Sequence, residues 1–205
     1  MRQAFHLVNG ILNFPGCSNN WNGRGVTWLH VSTEAKAEKV EYFCGPIDRA
    51  FGQKERALKL NRTLNFYRGW ENHIVGHSNG AAVALAMMRD YRKWPDIEHL
   101  HLVCGACEAD FEKNGLNVWM REGRIGYVTV YVGGKDLALR LAHSWAARLL
   151  GYGVMGLHGP LNVAPDVEAR VGIVTESPWA DYGHSTCWDD WNFDTTMRTL
   201  AKDIL

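Results

Sequence analysis

Between a short apolar run, Ile74-Val75, and an alanine-rich stretch, Ala81-Ala82-Val83-Ala84, the chain reads Gly76-His77-Ser78-Asn79-Gly80. The β-branched pair suits a buried strand and the alanines suit a helix. A serine at such a junction occupies a tight turn that lifts its hydroxyl above the C-terminal edge of a sheet. The N-terminus of the next helix then favours negative charge beside it. Gly76 and Gly80 fit because a side chain at either place would meet the neighbouring strand or helix. These are the needs of an acyl-transfer nucleophile. The plainer reading is a glycine-bracketed turn, and the strand and helix on either side weigh against it. A serine hydroxyl is a weak nucleophile near neutral pH, so it also needs a base within hydrogen-bond reach and a carboxylate to hold that base in one tautomer.

The motif Gly76-His77-Ser78-Asn79-Gly80 resembles the nucleophile elbow of the α/β-hydrolase family, and the resemblance runs over nearly the whole chain. It implies the chain order serine, acid, histidine. In Val132-Gly133-Gly134-Lys135-Asp136 the acid follows a strand, and the resemblance makes Asp136 the triad acid. Asp136 also suits the N-cap of a helix starting at Leu137, and the two roles are compatible. Asp110 and Glu108 compete with it, since some members carry the acid after the preceding strand. The segment from Trp179 to Trp188 lies between the last strand and the last helix, where the family carries its base, so His184 is the expected histidine. The family ends its first corresponding strand with His-Gly-X. Here Asn9-Gly10-Ile11 stands in its place, which makes the backbone N–H groups of Ile11 and Asn79 the expected oxyanion donors. Trp21, Trp179 and Trp188 sit on stretches expected to converge on the serine, where they could pack an apolar or aromatic substrate group. Trp28, Trp119, Trp145 and Trp191 read as core. His77 reads as turned away from the serine, and His158 as a residue of the Gly/Pro-rich loop, with a place at a pocket mouth as the lesser alternative.

Lys+Arg and Asp+Glu each number 22, so no net field draws the chain to nucleic acid or an anionic membrane. No uncharged run approaches membrane-spanning length. The start, Met1-Arg2-Gln3-Ala4-Phe5, enters a strand pattern without the features of a signal peptide, and five scattered cysteines make no disulfide framework. A reducing, cytoplasmic setting is expected, and export of a mature form stays compatible with these features. His99 and His101 alternate onto one strand face and Cys104-Gly105-Ala106-Cys107 is a CxxC, but a structural metal site needs a second ligand pair, so no metal is expected. No dinucleotide fingerprint follows the first strand, and no cofactor is implied.

Apolar runs at Phe5–Asn9, Val40–Cys44, His73–Gly76, Ile97–Cys104, Ile125–Val132 and Arg170–Thr175 read as strands. Helical patterns cover Arg24–Ala37, Gln53–Trp70, the stretch after Gly80, Phe111–Arg121, Leu137–Leu150 and Asn192–Ile204. Gly153 to Pro165 reads as a surface loop. Strands alternating with helices argue for right-handed parallel crossovers. The expectation is a single domain over residues 1–205, three-layer α/β/α, with a mostly parallel six-stranded sheet. In family terms this is a minimal, capless α/β-hydrolase lacking the first antiparallel strands of larger members. The function that follows is hydrolysis of a small carboxylic ester, short-chain or aryl. The alternatives are a thioesterase, an amidase-type hydrolase with the same triad, or a ligand-binding relative without turnover.

Overall fold

A computed structural model describes residues 2–10, 20–42, 48–91, 93–142 and 153–202. Its strands are β1 (Gln3–Val8), β2 (Lys36–Val40), β3 (Glu71–His77), β4 (Ile97–Val103), β5 (Ile125–Tyr131) and β6 (Val171–Val174). All pairings are parallel, in the order β2-β1-β3-β4-β5-β6, and the sheet is open. The described α-helices are α1 (Trp21–Ser32), α2 (Asp48–Phe66), α3 (Asn79–Asp90), α4 (Phe111–Asn114), α5 (Leu116–Arg121), α6 (Leu137–Ala142), α7 (Met155–His158) and α8 (Asp190–Leu200).

The period-two alternation of strand side chains builds two apolar layers from one sheet. On one face Val8, Ile74, Leu100, Leu102, Val128 and Val130 pack with Ala57, Leu60 and Leu64 of α2, the buried side of α3, and Leu116 and Met120 of α5. On the other, Phe5, Leu7, Val75, Val103 and Tyr131 pack with Leu29 of α1 and Phe193, Met197 and Leu200 of α8. The central strands are therefore nearly continuous apolar runs, which is why they were legible in the sequence.

The two edge strands behave differently. β2 lies at Lys36–Val40, ahead of the apolar run Val40–Cys44 that was expected to form it. Only Val40 of this strand is buried, and Lys36, Glu38 and Lys39 keep the edge polar, which discourages pairing with another chain. Helix α1 accordingly begins at Trp21 and ends at Ser32, earlier than the expected Arg24–Ala37. The end of the expected helix Leu137–Leu150, Trp145 and the terminal Ile204 fall outside the described residues. No helix among the described residues is long and apolar enough to cross a membrane.

Gly153 to Pro165 is more than a surface loop. It contains α7, buries Met155 completely, and lies along the connection after β4. Met155 N donates to Cys107 O, Gly156 N to Gly105 O and Leu161 N to Ala109 O, while Phe111 N returns a bond to Leu161 O. The glycine-rich composition signals this close backbone approach as much as irregularity.

Candidate active site

Ser78 stands between β3 and α3 with φ 54° and ψ −118°, a left-handed conformation that costs a non-glycine residue about 1–3 kcal/mol. The surrounding backbone holds it there. Ser78 N donates to Val103 O at 3.0 Å, and Ser78 O accepts from Ala81 N at 3.2 Å and Ala106 N at 3.0 Å. A Cβ on Gly80 would lie 2.2 Å from Val8 O, and one on Gly76 would lie 2.8 Å from Ala81 N, so α3 can pack this tightly on the sheet only with glycine at both places.

Asp136 lies past the end of β5, wholly buried. Its Oδ1 accepts from Leu139 N at 2.8 Å, the capping bond for α6, while its Oδ2 lies 2.7 Å from His184 Nδ1. The acid's loop is tied to the histidine's loop through the backbone: Gly134 N donates to Trp179 O at 3.1 Å and Lys135 N to Tyr182 O at 3.0 Å. His184 Nε2 in turn lies 2.8 Å from Ser78 Oγ. With Nδ1–H directed at the carboxylate, Nε2 is left as the acceptor for the serine hydroxyl, the tautomer a general base requires.

The competing acid, Asp110, stands elsewhere. Its Oδ1 caps α4 through Glu112 N at 3.0 Å and Lys113 N at 3.2 Å, and its Oδ2 accepts from Asn162 Nδ2 at 2.9 Å. These donors, Asn162 first, hold its carboxyl below the usual carboxylate range. Asp110 thus joins α4 to the segment after α7, and Glu108 Oε1 accepts from Asp110 N in the same turn.

Of the expected oxyanion donors, Asn79 is the first residue of α3, and Ile11 falls outside the described residues. The end of β1 does run beside the serine, since a Cβ on Gly10 would lie 2.9 Å from Ser78 Cβ. Two further residues bear on this corner, Tyr42, which the sequence did not single out, and His77. The Tyr42 hydroxyl donates to Asn9 O at 2.5 Å and accepts from Asn79 Nδ2 at 3.4 Å, so it bridges the end of β1 and the residue after the serine. His77, read as turned away from the serine, has its Nε2 2.8 Å from the backbone oxygen of His184. Neither contact leaves a local signature, because the partners are 33, 37 and 107 residues apart.

The tryptophans expected around an open site are placed differently. Trp21 opens α1 instead of lying in a loop, and its ring stacks on Trp188 with centroids 4.1 Å apart. Trp179 packs between Tyr131 and Tyr182. All three are at most 2% exposed, so they belong to the apolar core on this side of the sheet and offer almost no surface to a substrate. Trp191, expected in the core, is 90% exposed. Composition could not assign these roles, since a ring on a short turn can face inward as easily as outward. His158 ends α7 on the surface.

The histidines on the strands are held within the protein. His6 Nε2 pairs with Asn72 Oδ1 at 2.9 Å, His99 Nε2 with Thr129 Oγ1 at 2.7 Å, and His101 Nδ1 with the Tyr131 hydroxyl at 3.1 Å. Cys104 and Cys107 are buried thiols.

No family model matches the chain, and no curated protein matches it in sequence. Solved structures do match. One is a proposed YdeN-like hydrolase of Pectobacterium atrosepticum, 16% identical, with TM-score 0.52 over 98% of this chain and 90% of that one. Another is a proposed hydrolase of Agrobacterium vitis S4, 13% identical, with TM-score 0.59 over 100% of this chain and 88% of that one. Identity this low speaks to architecture alone. Together with the all-parallel six-stranded sheet and its helices on both faces, these likenesses show that the chain has the α/β-hydrolase fold.

Proposed function

We propose that this protein is a serine hydrolase that cleaves carboxylic esters through an acyl-enzyme. The observation that carries this reading is the continuous hydrogen-bonded line from Ser78 Oγ through His184 to the buried Asp136. The structural likeness to proteins described as hydrolases supports the broader class.

In this mechanism Ser78 Oγ attacks the ester carbonyl carbon while its proton passes to His184 Nε2. The imidazolium that forms is offset by Asp136, whose Oδ2 faces Nδ1–H and whose Oδ1 is engaged by Leu139 N. The tetrahedral oxyanion develops at the N-terminus of α3, where the Asn79 N–H and the helix dipole favour negative charge. A second donor from Ile11 belongs to the same reading. His184 then gives its proton to the departing alkoxide, and in the second half reaction takes one from water as that water attacks the acyl-serine, returning it to Ser78 Oγ as the acyl–oxygen bond breaks and the acid leaves.

Thioesters and activated amides pass through the same tetrahedral chemistry, so the scissile bond is a question of relative rates. Turnover of matched ester, thioester and anilide substrates by the native protein and by Ser78→Ala answers it. The ester should be hydrolysed fastest, and Ser78→Ala should retain its thermal stability while losing turnover. A folded Ser78→Ala protein with near-native turnover would overturn the mechanism. Preference for the thioester or anilide would keep the mechanism and change the substrate class.

A further inference from the structure

The ring of His77, the residue before Ser78, is buried and stands edge-on to the stacked pair Trp21 and Trp188, with centroids 6.0 and 5.7 Å away and interplanar angles of 80° and 87°. Its Nε2 reaches the His184 carbonyl oxygen at 2.8 Å. A carbonyl oxygen can only accept, so Nε2 must carry the hydrogen. Burial, with the neighbouring His184 adding to it, lowers the pKa of His77 to about 3, so the ring is neutral at ordinary pH.

The loop that carries His184 has little regular structure of its own. Its other bonds to the body of the protein lie on either side of His184: Lys135 N donates to Tyr182 O at 3.0 Å, Thr196 Oγ1 to Cys187 O at 2.9 Å and Arg24 to Trp188 O at 3.1 Å. The contacts of the His184 ring with Asp136 and Ser78 orient the imidazole, and the bond from His77 holds the His184 carbonyl itself. His77 alone of these groups is bonded covalently to the nucleophile residue and hydrogen-bonded to the backbone of the base residue.

Resting on the serine hydrolase reading above, we propose that His77 is a positioning residue whose Nε2–H bond to the His184 carbonyl sets the separation of the base from Ser78 Oγ. It touches neither substrate nor the reacting atoms. Its effect belongs to kcat, since a nucleophile and base displaced by about 1 Å can lose on the order of 10²-fold in rate.

The test compares His77→Gln with His77→Met. Both replace the ring with an unbranched chain of similar reach, but only glutamine keeps an N–H near the position of Nε2. Expected is a fall in kcat of about 10- to 100-fold for His77→Met with KM little changed, and recovery to within a few-fold of native in His77→Gln. Equal losses in both variants, or native kcat in His77→Met, would overturn the proposal. Because either variant could lose its fold along with the ring, nitrogen-15 NMR of the native protein provides a second readout. It should find the hydrogen of His77 on Nε2, with a coupling across the bond to the His184 carbonyl, and a hydrogen on Nδ1 instead would overturn the proposal without reference to turnover. Turnover surviving in Ser78→Ala would sink the serine mechanism and leave that tautomer result standing, so the two failures are distinguishable.

Discussion

Asp136 offers its two carboxylate oxygens to two different partners: Oδ2 to His184 Nδ1 at 2.7 Å and Oδ1 to Leu139 N at 2.8 Å. The helix cap fixes the orientation of the carboxylate that the imidazole reads. Asp136→Asn keeps the cap's acceptor and removes the charge, so kcat should fall on the order of 10⁴-fold with a much smaller change in thermal stability. Asp110→Asn should do the reverse. It keeps the cap's acceptor but puts an N–H where Oδ2 accepts from Asn162, which should lower thermal stability with kcat nearly native. Steady-state kinetics and thermal melts of both variants check this, and an exchange of the two outcomes would move the acid to Asp110.

The acid and base loops meet through backbone at Gly134, where an added Cβ would lie 2.2 Å from Ala180 O. Neither atom belongs to a flexible side chain, so Gly134→Ala must push the loops apart. The prediction is a loss of about 10²-fold in kcat from a residue that touches no substrate. Native kcat in this variant would mean that the spacing of the two loops is not what sets the rate.

Stability should fall as the solution is acidified, through histidines that the fold keeps neutral. Burial lowers the pKa of His6 to about 4 and that of His77 to about 3, and lowers that of His101 as well, against 6.5 for the free group. Above 6.5 these rings are neutral in both states and contribute no pH dependence. Below it the unfolded chain binds protons that the folded chain refuses, so unfolding gains until the folded pKa of each is passed. Denaturant unfolding from about pH 7 to about pH 5 should show this loss, and His6→Gln should reduce the slope by up to about one proton. Equal slopes in the two proteins would contradict the burial argument.

Between β4 and β5 the described chain has only the short helices α4 and α5, so no helical cap is inserted there. The three tryptophans expected to offer an apolar rim are buried. Each methylene added beyond a short acyl group should therefore gain much less than the roughly 0.8 kcal/mol of full burial. Catalytic efficiency across p-nitrophenyl esters of increasing chain length measures this directly. A steady rise to long chains, or a jump on emulsification, would show that an apolar surface covers the acyl chain after all.

Much of the fold was legible because a parallel sheet buried on both faces writes its inner strands as apolar runs, as Ile74-Val75 and Val128-Thr129-Val130 do. The edge strand β2 escaped because an edge is written in lysine and glutamate, and the louder apolar signal of Val40–Cys44 lay next to it. At the site, the elbow was legible because its requirements are local: two glycines and a serine within five residues. Asp136 and His184 came from the family order, not from any local pattern. What escaped was contact between distant segments. The bridge from Tyr42 to Asn9 and Asn79, the bond from His77 to His184, and the inward turn of Trp21, Trp179 and Trp188 depend on packing that one sequence does not spell out.

The most direct measurement is intact-mass analysis of the protein after brief exposure to a fluorophosphonate, followed by peptide mapping. A single adduct should form on Ser78, slow sharply in Asp136→Asn and be absent from Ser78→Ala. No adduct on the native protein, or an adduct of equal rate and stoichiometry on Ser78→Ala, would contradict an activated nucleophile at this position.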